Sequence, residues 1–228
     1  MKFLMVVVAA LGLSACYTNS AVKLGQNFSE TRVGTEQKIS GRYLASPLNT
    51  DDIKLPAKLN LNEPQKALLS GSCEIAIDSK AVANGLEELS KNILSGYFRD
   101  IVFGKLDKST AASFGGSLSG VVAVSLKSLK QDAKCSGRVN GYGAGTYSCW
   151  HDLTLTYTVL FLERGKSKVR YEQEGYSRGQ ERPTWGPIES CTVLSRLYET
   201  NLRVATERAL KGILDKIVFE DILKNASK

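Results

Sequence analysis

Three segments in the second half of the chain alternate apolar and polar residues, which is the pattern of β-strands with one buried face. They run from Leu118 to Leu129, from Trp150 to Glu163 and from Lys168 to Tyr176. The short polar turn Arg164-Gly165-Lys166 separates the second segment from the third, so these two strands are predicted to run antiparallel. Three consecutive strands of this kind form a meander that packs one face and leaves the other in water.

A long helical pattern follows the meander. It begins near Ile188 or Glu189, extends to Leu223, and repeats apolar residues at three- and four-residue steps. The stripe consists of Leu194, Leu197, Leu202, Ala205, Ala209, Ile213 and Ile217. A helix of this kind gains most of its stability by burying its stripe, and the apolar face of the meander is the surface available for it.

The first half of the chain predicts one further helix. Asp78 or Ser79 caps a pattern of about 20 residues that ends at Gly104. Its apolar face consists of Leu86, Leu89, Ile93, Tyr97 and Ile101. Strand patterns precede it from Lys38 to Leu44 and from Gly71 to Ile77, and the proline-containing stretch 45–66 between them is predicted to be irregular.

From residue 71 onward the predicted order is β-α-β-β-β-α. The expected fold class is therefore α+β, a two-layer sandwich in which an antiparallel sheet of about four strands carries both helices on one face.

The first fifteen residues have the layout of a secretory signal. Met1 and Lys2 give a positive start, Phe3 to Leu13 are almost wholly apolar, and small residues precede Cys16. The apolar run is about half of the roughly 20 residues that a membrane-spanning helix needs. We therefore interpret it as an export signal.

The motif Leu13-Ser14-Ala15-Cys16 resembles the lipobox of bacterial lipoproteins. The resemblance covers only these first sixteen residues. It implies a diacylglycerol on the Cys16 thiol and an acyl chain such as palmitate on its new amine, and no other cofactor. Two or more chains anchor a protein stably in a membrane. The alternative is an ordinary secretory signal with a cysteine at the cleavage point.

The family's sorting pattern favours the periplasmic face of the outer membrane, because Tyr17 stands where an aspartate would favour inner-membrane retention. We expect three parts: a signal peptide at 1–15, a polar tether at 16–37 and a single periplasmic domain at 38–228. The formal charge of +7 favours anionic partners such as lipid headgroups or acidic protein surfaces. Nucleic acid is not an expected partner for an exported chain.

Four cysteines remain after Cys16, and an even number in an oxidising compartment favours two disulfides. Cys135 and Cys149 flank a glycine-rich segment that is predicted to be a flexible loop closed at its base, so we expect these two to pair. Cys73 and Cys191 then pair by elimination. The alternative is free buried thiols. The spacings match neither a redox motif nor a zinc finger.

No catalytic or metal-binding constellation is predicted. His151 is the only histidine, and its neighbour Asp152 would point to the opposite face of a strand, so a structural role is expected. A cell-wall hydrolase would need a pair of carboxylates. The candidates are Glu87 with Glu88 and Glu172 with Glu174. Glu87 and Glu88 lie on the outer side of the predicted helix, where solvated charge is normal, and Glu172 and Glu174 share one strand face. Neither pattern indicates an acid–base pair, which makes a hydrolase the weakest of the functional hypotheses.

One constellation is predicted to be a contact surface. Trp185 and Arg182 lie in a proline-bounded loop before the last helix, and Tyr176 and Arg178 lie just upstream. Aromatic residues and arginine are enriched at the centres of protein interfaces. The alternative is that Trp185 closes the end of the core.

The predicted order and the lipid anchor resemble the small α/β domains of several outer-membrane lipoproteins, among them the lipopolysaccharide-assembly lipoprotein and activators of penicillin-binding proteins. This resemblance lies in topology alone and assigns no residue. We expect a non-enzymatic accessory or assembly factor of an envelope complex, with an envelope protein as its partner. The alternative is a periplasmic module that binds an anionic lipid or a glycan.

Overall fold

The computed structural model describes residues 20–22, 38–50, 53, 55, 58–59, 75–106, 117–139, 145–181 and 186–226. The signal peptide, the lipobox and Cys16 lie outside the described residues. Two helices and eight strands are defined within them. In chain order they are β1 (Ser20–Val22), β2 (Ile39–Ala45), β3 (Lys58–Leu59), β4 (Ile75–Ile77), α1 (Ser79–Tyr97), β5 (Phe98–Phe103), β6 (Gly120–Val139), β7 (Gly145–Glu163), β8 (Val169–Glu181) and α2 (Gly186–Ala226).

The main sheet is mixed, with five strands in the order β5-β2-β6-β7-β8. The predicted α+β class is confirmed, but the expectation of about four strands that are all antiparallel is wrong. β2 pairs in parallel with both of its neighbours, β5 and β6, while β6, β7 and β8 form the predicted antiparallel meander. A second, small sheet has the order β1-β4-β3.

Helix α1 begins as predicted and has about the predicted length, but it ends before the expected stop at Gly104. The Asp78 side chain accepts hydrogen bonds from the amides of Lys80 at 3.1 Å and Ala81 at 3.0 Å, which caps the first turn. The helix ends at Tyr97, and the next residues form β5. Ile101, which fits the helical spacing, instead pairs with Tyr43 of β2. Pairing with β2 therefore overrides the local helical pattern.

The chain after β2 is less irregular than predicted. Asn49 continues along β6, since its amide donates to the carbonyl of Val124 and its carbonyl accepts from the amide of Leu126, both at 3.0 Å. Leu48, Ile53 and Leu55 pack against the core. Residues 46–50, 53 and 55 thus extend the main sheet and its packing, and residues 58–59 form β3 of the second sheet.

The β6–β7 hairpin is longer than the sequence predicts. Its register continues without interruption from Ser128 paired with Thr156 to Val139 paired with Gly145. Within the glycine-rich segment between Cys135 and Cys149, residues 136–139 are therefore paired with residues 145–148, which corrects the prediction of a loop for these residues. Residues 140–144 lie outside the described residues. The polar turn at 164–166 is confirmed, and Gly165 takes the positive φ of 75° that such a turn favours.

Helix α2 lies across β7 and β8 and fills the core with the predicted stripe. Every member of the predicted stripe is buried. The helix approaches β8 very closely at Gly175, where a Cβ atom would stand 1.8 Å from the carbonyl oxygen of Ala205. Two small helix residues, Ala205 and Ala209, face this glycine. The two helices also contact each other, since the Tyr97 hydroxyl donates to Asp215 at 2.6 Å.

No helix within the described ranges is both long and apolar enough to cross a membrane.

Candidate functional site

The meander presents one face to α2 and an outer face away from it, and the residues of β7 alternate between the two faces. His151, Leu153 and Leu155 are buried under α2. The alternate residues, Trp150 and Asp152 among them, lie on the opposite, outer face. Strand alternation thus separates the two neighbours His151 and Asp152, as predicted.

The strand registers align the outer-face residues into three rows across β6, β7 and β8. From the hairpin end, the rows are Lys134–Trp150–Gln180, Asp132–Asp152–Arg178 and Lys130–Thr154–Tyr176. Residues directly opposite each other on one face of an antiparallel pair have Cβ atoms about 5 Å apart. Aromatic, cationic and acidic side chains therefore share one continuous surface.

Contacts within these rows hold the side chains in place. Asp152 lies at the centre of these contacts. It accepts a hydrogen bond from the Tyr176 hydroxyl at 3.4 Å and forms an ion pair with Arg178 Nε at 3.4 Å. The Lys134 ammonium lies 5.8 Å from the centroid of the Trp150 ring, a cation–π distance. We call Lys134, Trp150, Asp152, Tyr176 and Arg178 the outer-face patch.

The structure brings together two of the four residues predicted to form a contact surface. Tyr176 is 46% exposed on β8, and Arg178 is exposed beside it. Trp185 and Arg182 lie outside the described residues, so their part of the prediction stays a prediction. Trp150 and Lys134 were missed, although period-two alternation along β6 and β7 places both on the wet face.

The inner face carries a buried polar cluster around His151. The Asn201 side-chain amide donates to the His151 carbonyl oxygen at 2.6 Å and lies 2.9 Å from its Nδ1, and the Ser177 hydroxyl donates to Asn201 at 2.8 Å. The Tyr198 ring meets the imidazole edge-on at 5.3 Å. Burial lowers the pKa of His151 to about 4, with nearby Asp132 acting in the opposite direction.

His151 is fully buried, with 0% of its surface exposed, so no external substrate reaches it. Its Nε2 has no hydrogen-bond partner among the described residues, as is also true of the Tyr198 hydroxyl. A neutral, enclosed imidazole held by an amide fits the predicted structural role.

The carboxylate pairs considered for a hydrolase are ordinary surface charges. Lys91 forms ion pairs with Glu87 at 2.7 Å and Glu88 at 2.8 Å. Glu172 accepts from Arg170 at 3.1 Å on the outer face of β8. Within the described part of the chain, no group of three or more histidine, cysteine, aspartate and glutamate side chains is placed to hold a metal ion.

The strand register is compatible with the predicted pairing of Cys135 with Cys149, which stays a prediction. The two residues stand directly opposite each other in β6 and β7. Directly opposed Cα atoms in an antiparallel pair are about 4.5 to 5.5 Å apart, within the range that a disulfide bridges. Cys73 lies outside the described residues and the Cys191 side chain is not described, so the second pairing stays a prediction.

We expect peptide mapping of the exported protein under non-reducing conditions to find the Cys135 peptide linked to the Cys149 peptide. A Cys135→Ser variant should lose this linkage and leave Cys149 open to alkylation after unfolding. Alkylation of both thiols in the unreduced parent protein would contradict the pairing, as would a link from Cys135 to Cys73 or Cys191.

The sequence matches no protein-family model and no curated protein. Among solved structures it is similar to a DUF330 protein from Xanthomonas campestris, with a TM-score of 0.36 and 10% identity over 84% of this chain and 94% of that chain. A hypothetical protein from Chlamydia trachomatis gives a TM-score of 0.34 and 10% identity over 78% and 96% of the two chains. A minor lipoprotein from Acinetobacter baumannii gives 0.34 and 11% over 80% and 95%. None of these three similarities assigns a residue or an activity to this chain.

Proposed function

We propose that this protein is a non-enzymatic accessory lipoprotein, anchored through Cys16 to the periplasmic face of the outer membrane. It docks onto a protein of an envelope complex through the outer-face patch. The lipobox supports the anchor, and the geometry of the meander supports the docking surface. No step of catalysis is part of this function.

The observation that carries the proposal is the exposed sheet face on which Trp150, Tyr176 and Arg178 stand in register. Tyrosine, tryptophan and arginine are the residue types that most often dominate binding energy at protein interfaces. They are presented here by paired strands, so little conformational entropy is lost when a partner orders them. A rigid aromatic and cationic face of this kind fits a partner with exposed acidic and aromatic side chains.

The patch is also electrostatically suited to selecting its partner. Lys130, Lys134 and Arg178 surround the acidic pair formed by Asp132 and Asp152, which stand opposite each other in the register. A surface with both signs of charge in fixed positions rejects partners that place like charges against it. The pattern therefore favours one defined protein over general adhesion to anions.

The proposal is tested by placing a photo-crosslinking phenylalanine analogue at position 176 of the full-length, acylated protein in its own envelope. We expect illumination to give one defined protein adduct. The double variant Tyr176→Ala/Arg178→Ala should reduce recovery of the same partner by about tenfold or more in a cross-linked pull-down, as removal of interface anchors does.

The matched control is Lys105→Ala/Leu106→Ala, which also removes one cation and one exposed apolar side chain, after the end of β5. This variant should recover the partner at the parent level. A Cys16→Ala variant should lose the anchor. Adducts with lipid or glycan alone would overturn the docking role and favour a lipid- or glycan-binding module. An equal loss of partner recovery in both double variants would show that the outer-face patch is not the docking surface.

A further inference from the structure

The last two turns of α2 extend beyond the core. Among the helix residues up to Leu223, whose burial is described, Ile217 is the last buried one, and the nine residues from Val218 to Ala226 continue for about 13 Å. Upstream, the outward side of the helix is polar, with Arg208, Asp215 and Lys216 exposed. Beyond Ile217 this side becomes apolar, since Phe219, Ile222 and Leu223 lie there at three- and four-residue spacing.

These three side chains are exposed, although they are large and apolar. Phe219 is 61% exposed and Leu223 is 54% exposed. They point away from the core, because helical spacing places them opposite the buried residues Ile213 and Ile217. Packing against the sheet therefore does not explain why these three side chains are apolar.

The C-terminal turns of α2 that carry Phe219, Ile222 and Leu223 lie at the end of the main sheet where β2 begins. A cleft at this end is lined by Ile39 at the start of β2, by Phe161 and Glu163 at the end of β7, and by Ile217 and Glu220 of α2. The hydroxyl of Tyr171, near the start of β8, donates to Glu220 at 2.8 Å. We call this the Lys38 end, since Lys38 leads into β2 here.

The Lys38 end concentrates the exposed apolar residues and also carries a basic turn. Seven large apolar side chains are exposed in the described part of the chain. Five of them belong to this end: Leu162, Val169, Phe219, Ile222 and Leu223. The β7–β8 turn adds Arg164, Lys166, Lys168 and Arg170, all exposed. Lys166 is ion-paired with Glu163, and Arg170 with Glu172.

We propose that the Lys38 end lies on the surface of a bilayer that contains anionic phospholipid. Phe219, Ile222 and Leu223 enter the boundary between headgroups and acyl chains, and the cations of the β7–β8 turn meet the phosphates. A short apolar helix face beside exposed lysine and arginine is the pattern of an interfacial membrane contact.

A bilayer explains both the exposed apolar side chains and the basic turn of this end. A second copy of the chain would explain only the apolar side chains. Besides the ion-paired Lys166 and Arg170, this end carries Arg164 and Lys168. An apolar contact between copies would bring these like charges together at an electrostatic cost, whereas anionic headgroups attract them. The inference goes beyond the proposed function, and it rests on the proposed Cys16 anchor only for which bilayer lies nearby.

The test uses the mature chain with Cys16→Ala, which carries no lipid, in flotation with vesicles of phosphatidylethanolamine and phosphatidylglycerol. We expect it to float with these vesicles, to float less as salt is raised, and to bind vesicles of phosphatidylcholine more weakly. The variant Phe219→Ser/Ile222→Ser/Leu223→Ser should lower the partition coefficient by about tenfold or more. Lys166→Ser/Lys168→Ser should weaken the preference for phosphatidylglycerol.

The control variant is Leu106→Ser/Tyr176→Ser, which removes the two exposed apolar side chains outside the Lys38 end. It should bind vesicles like the parent, and circular dichroism should show all variants folded. Absence of vesicle binding by the parent, or equal binding by the triple variant, would overturn the inference. A dimer in light scattering that the triple variant disrupts, without vesicle binding, would also overturn it and assign the patch to self-association. Photo-crosslinking at position 176 concerns the opposite face of the sheet, so the two proposals fail independently.

Discussion

Replacing Gly175 with alanine should lower the free energy of unfolding by about 3 kcal/mol or more. The added Cβ would stand 1.8 Å from the Ala205 carbonyl oxygen and 2.9 Å from the Ala209 amide nitrogen. Both atoms belong to the backbone of α2, so no side chain can rotate to make room. The helix would have to move away from β8, which opens the core that its stripe fills. Urea unfolding followed by circular dichroism measures this loss.

Alanine substitutions at two other glycines provide comparisons for Gly175→Ala. At Gly179 the added Cβ would meet the tip of the Leu197 side chain at 2.7 Å, which can shift, so the destabilisation should be smaller. At Gly212, inside α2, the nearest atom is a flexible Gln173 carbon at 3.4 Å. Gly212→Ala should therefore raise the free energy of unfolding by about 0.5 to 1 kcal/mol. Equal effects at positions 175 and 212 would contradict the close approach of helix and strand.

The protein should lose up to about 3 kcal/mol of stability through His151 as the pH falls from 6.5 to 4. Burial lowers the pKa of His151 in the folded protein to about 4, from 6.5 in an unfolded chain. Between these values the unfolded chain binds a proton that the folded protein excludes, so acid favours unfolding. Above pH 6.5 the imidazole is neutral in both states, and the full stabilisation is present.

The pH effect is measured as a difference between two proteins, because carboxylates also titrate in acid. Urea unfolding of the parent and of His151→Gln at intervals from pH 7 to pH 4 gives the free energy of unfolding of each. The parent should fall more steeply than the variant between pH 6.5 and 4. Parallel curves over this range would show that His151 titrates normally in the folded state, and would contradict its enclosure by Asn201 and Tyr198.

Local patterns predicted the elements that are stabilised by local contacts. The meander, the cap at Asp78 and the long helix each depend on neighbours close in the sequence, and the structure contains all three. β5 was missed because Phe98 to Phe103 continues an apolar pattern compatible with a helix, and only its pairing with the distant strand β2 makes it extended. The parallel pairs of the sheet have no local signal at all.

The candidate site was predicted in part for a similar reason. Tyr176 and Arg178 stood out because aromatic and arginine residues cluster near one loop in the sequence. Trp150 and Lys134 come from other strands, and their approach to Tyr176 depends on a register that begins many residues away. The apolar character of Phe219, Ile222 and Leu223 is readable in the sequence. Their exposure could not be predicted, because it depends on where the sheet ends beneath the helix.

The parallel pairing of β2 also determines the order in which the sheet can be completed. Each turn of the meander closes between adjacent strands, whereas the amide of Arg42 bonds to Ser119, 77 residues later in the chain. The entropy cost of closing long loops delays such pairs during folding. A chain threaded across a membrane amino terminus first delivers β2 before any of its partners. The first strand of the main sheet to arrive is then seated only after the meander, and until that moment the edge of β6 stays open to other chains.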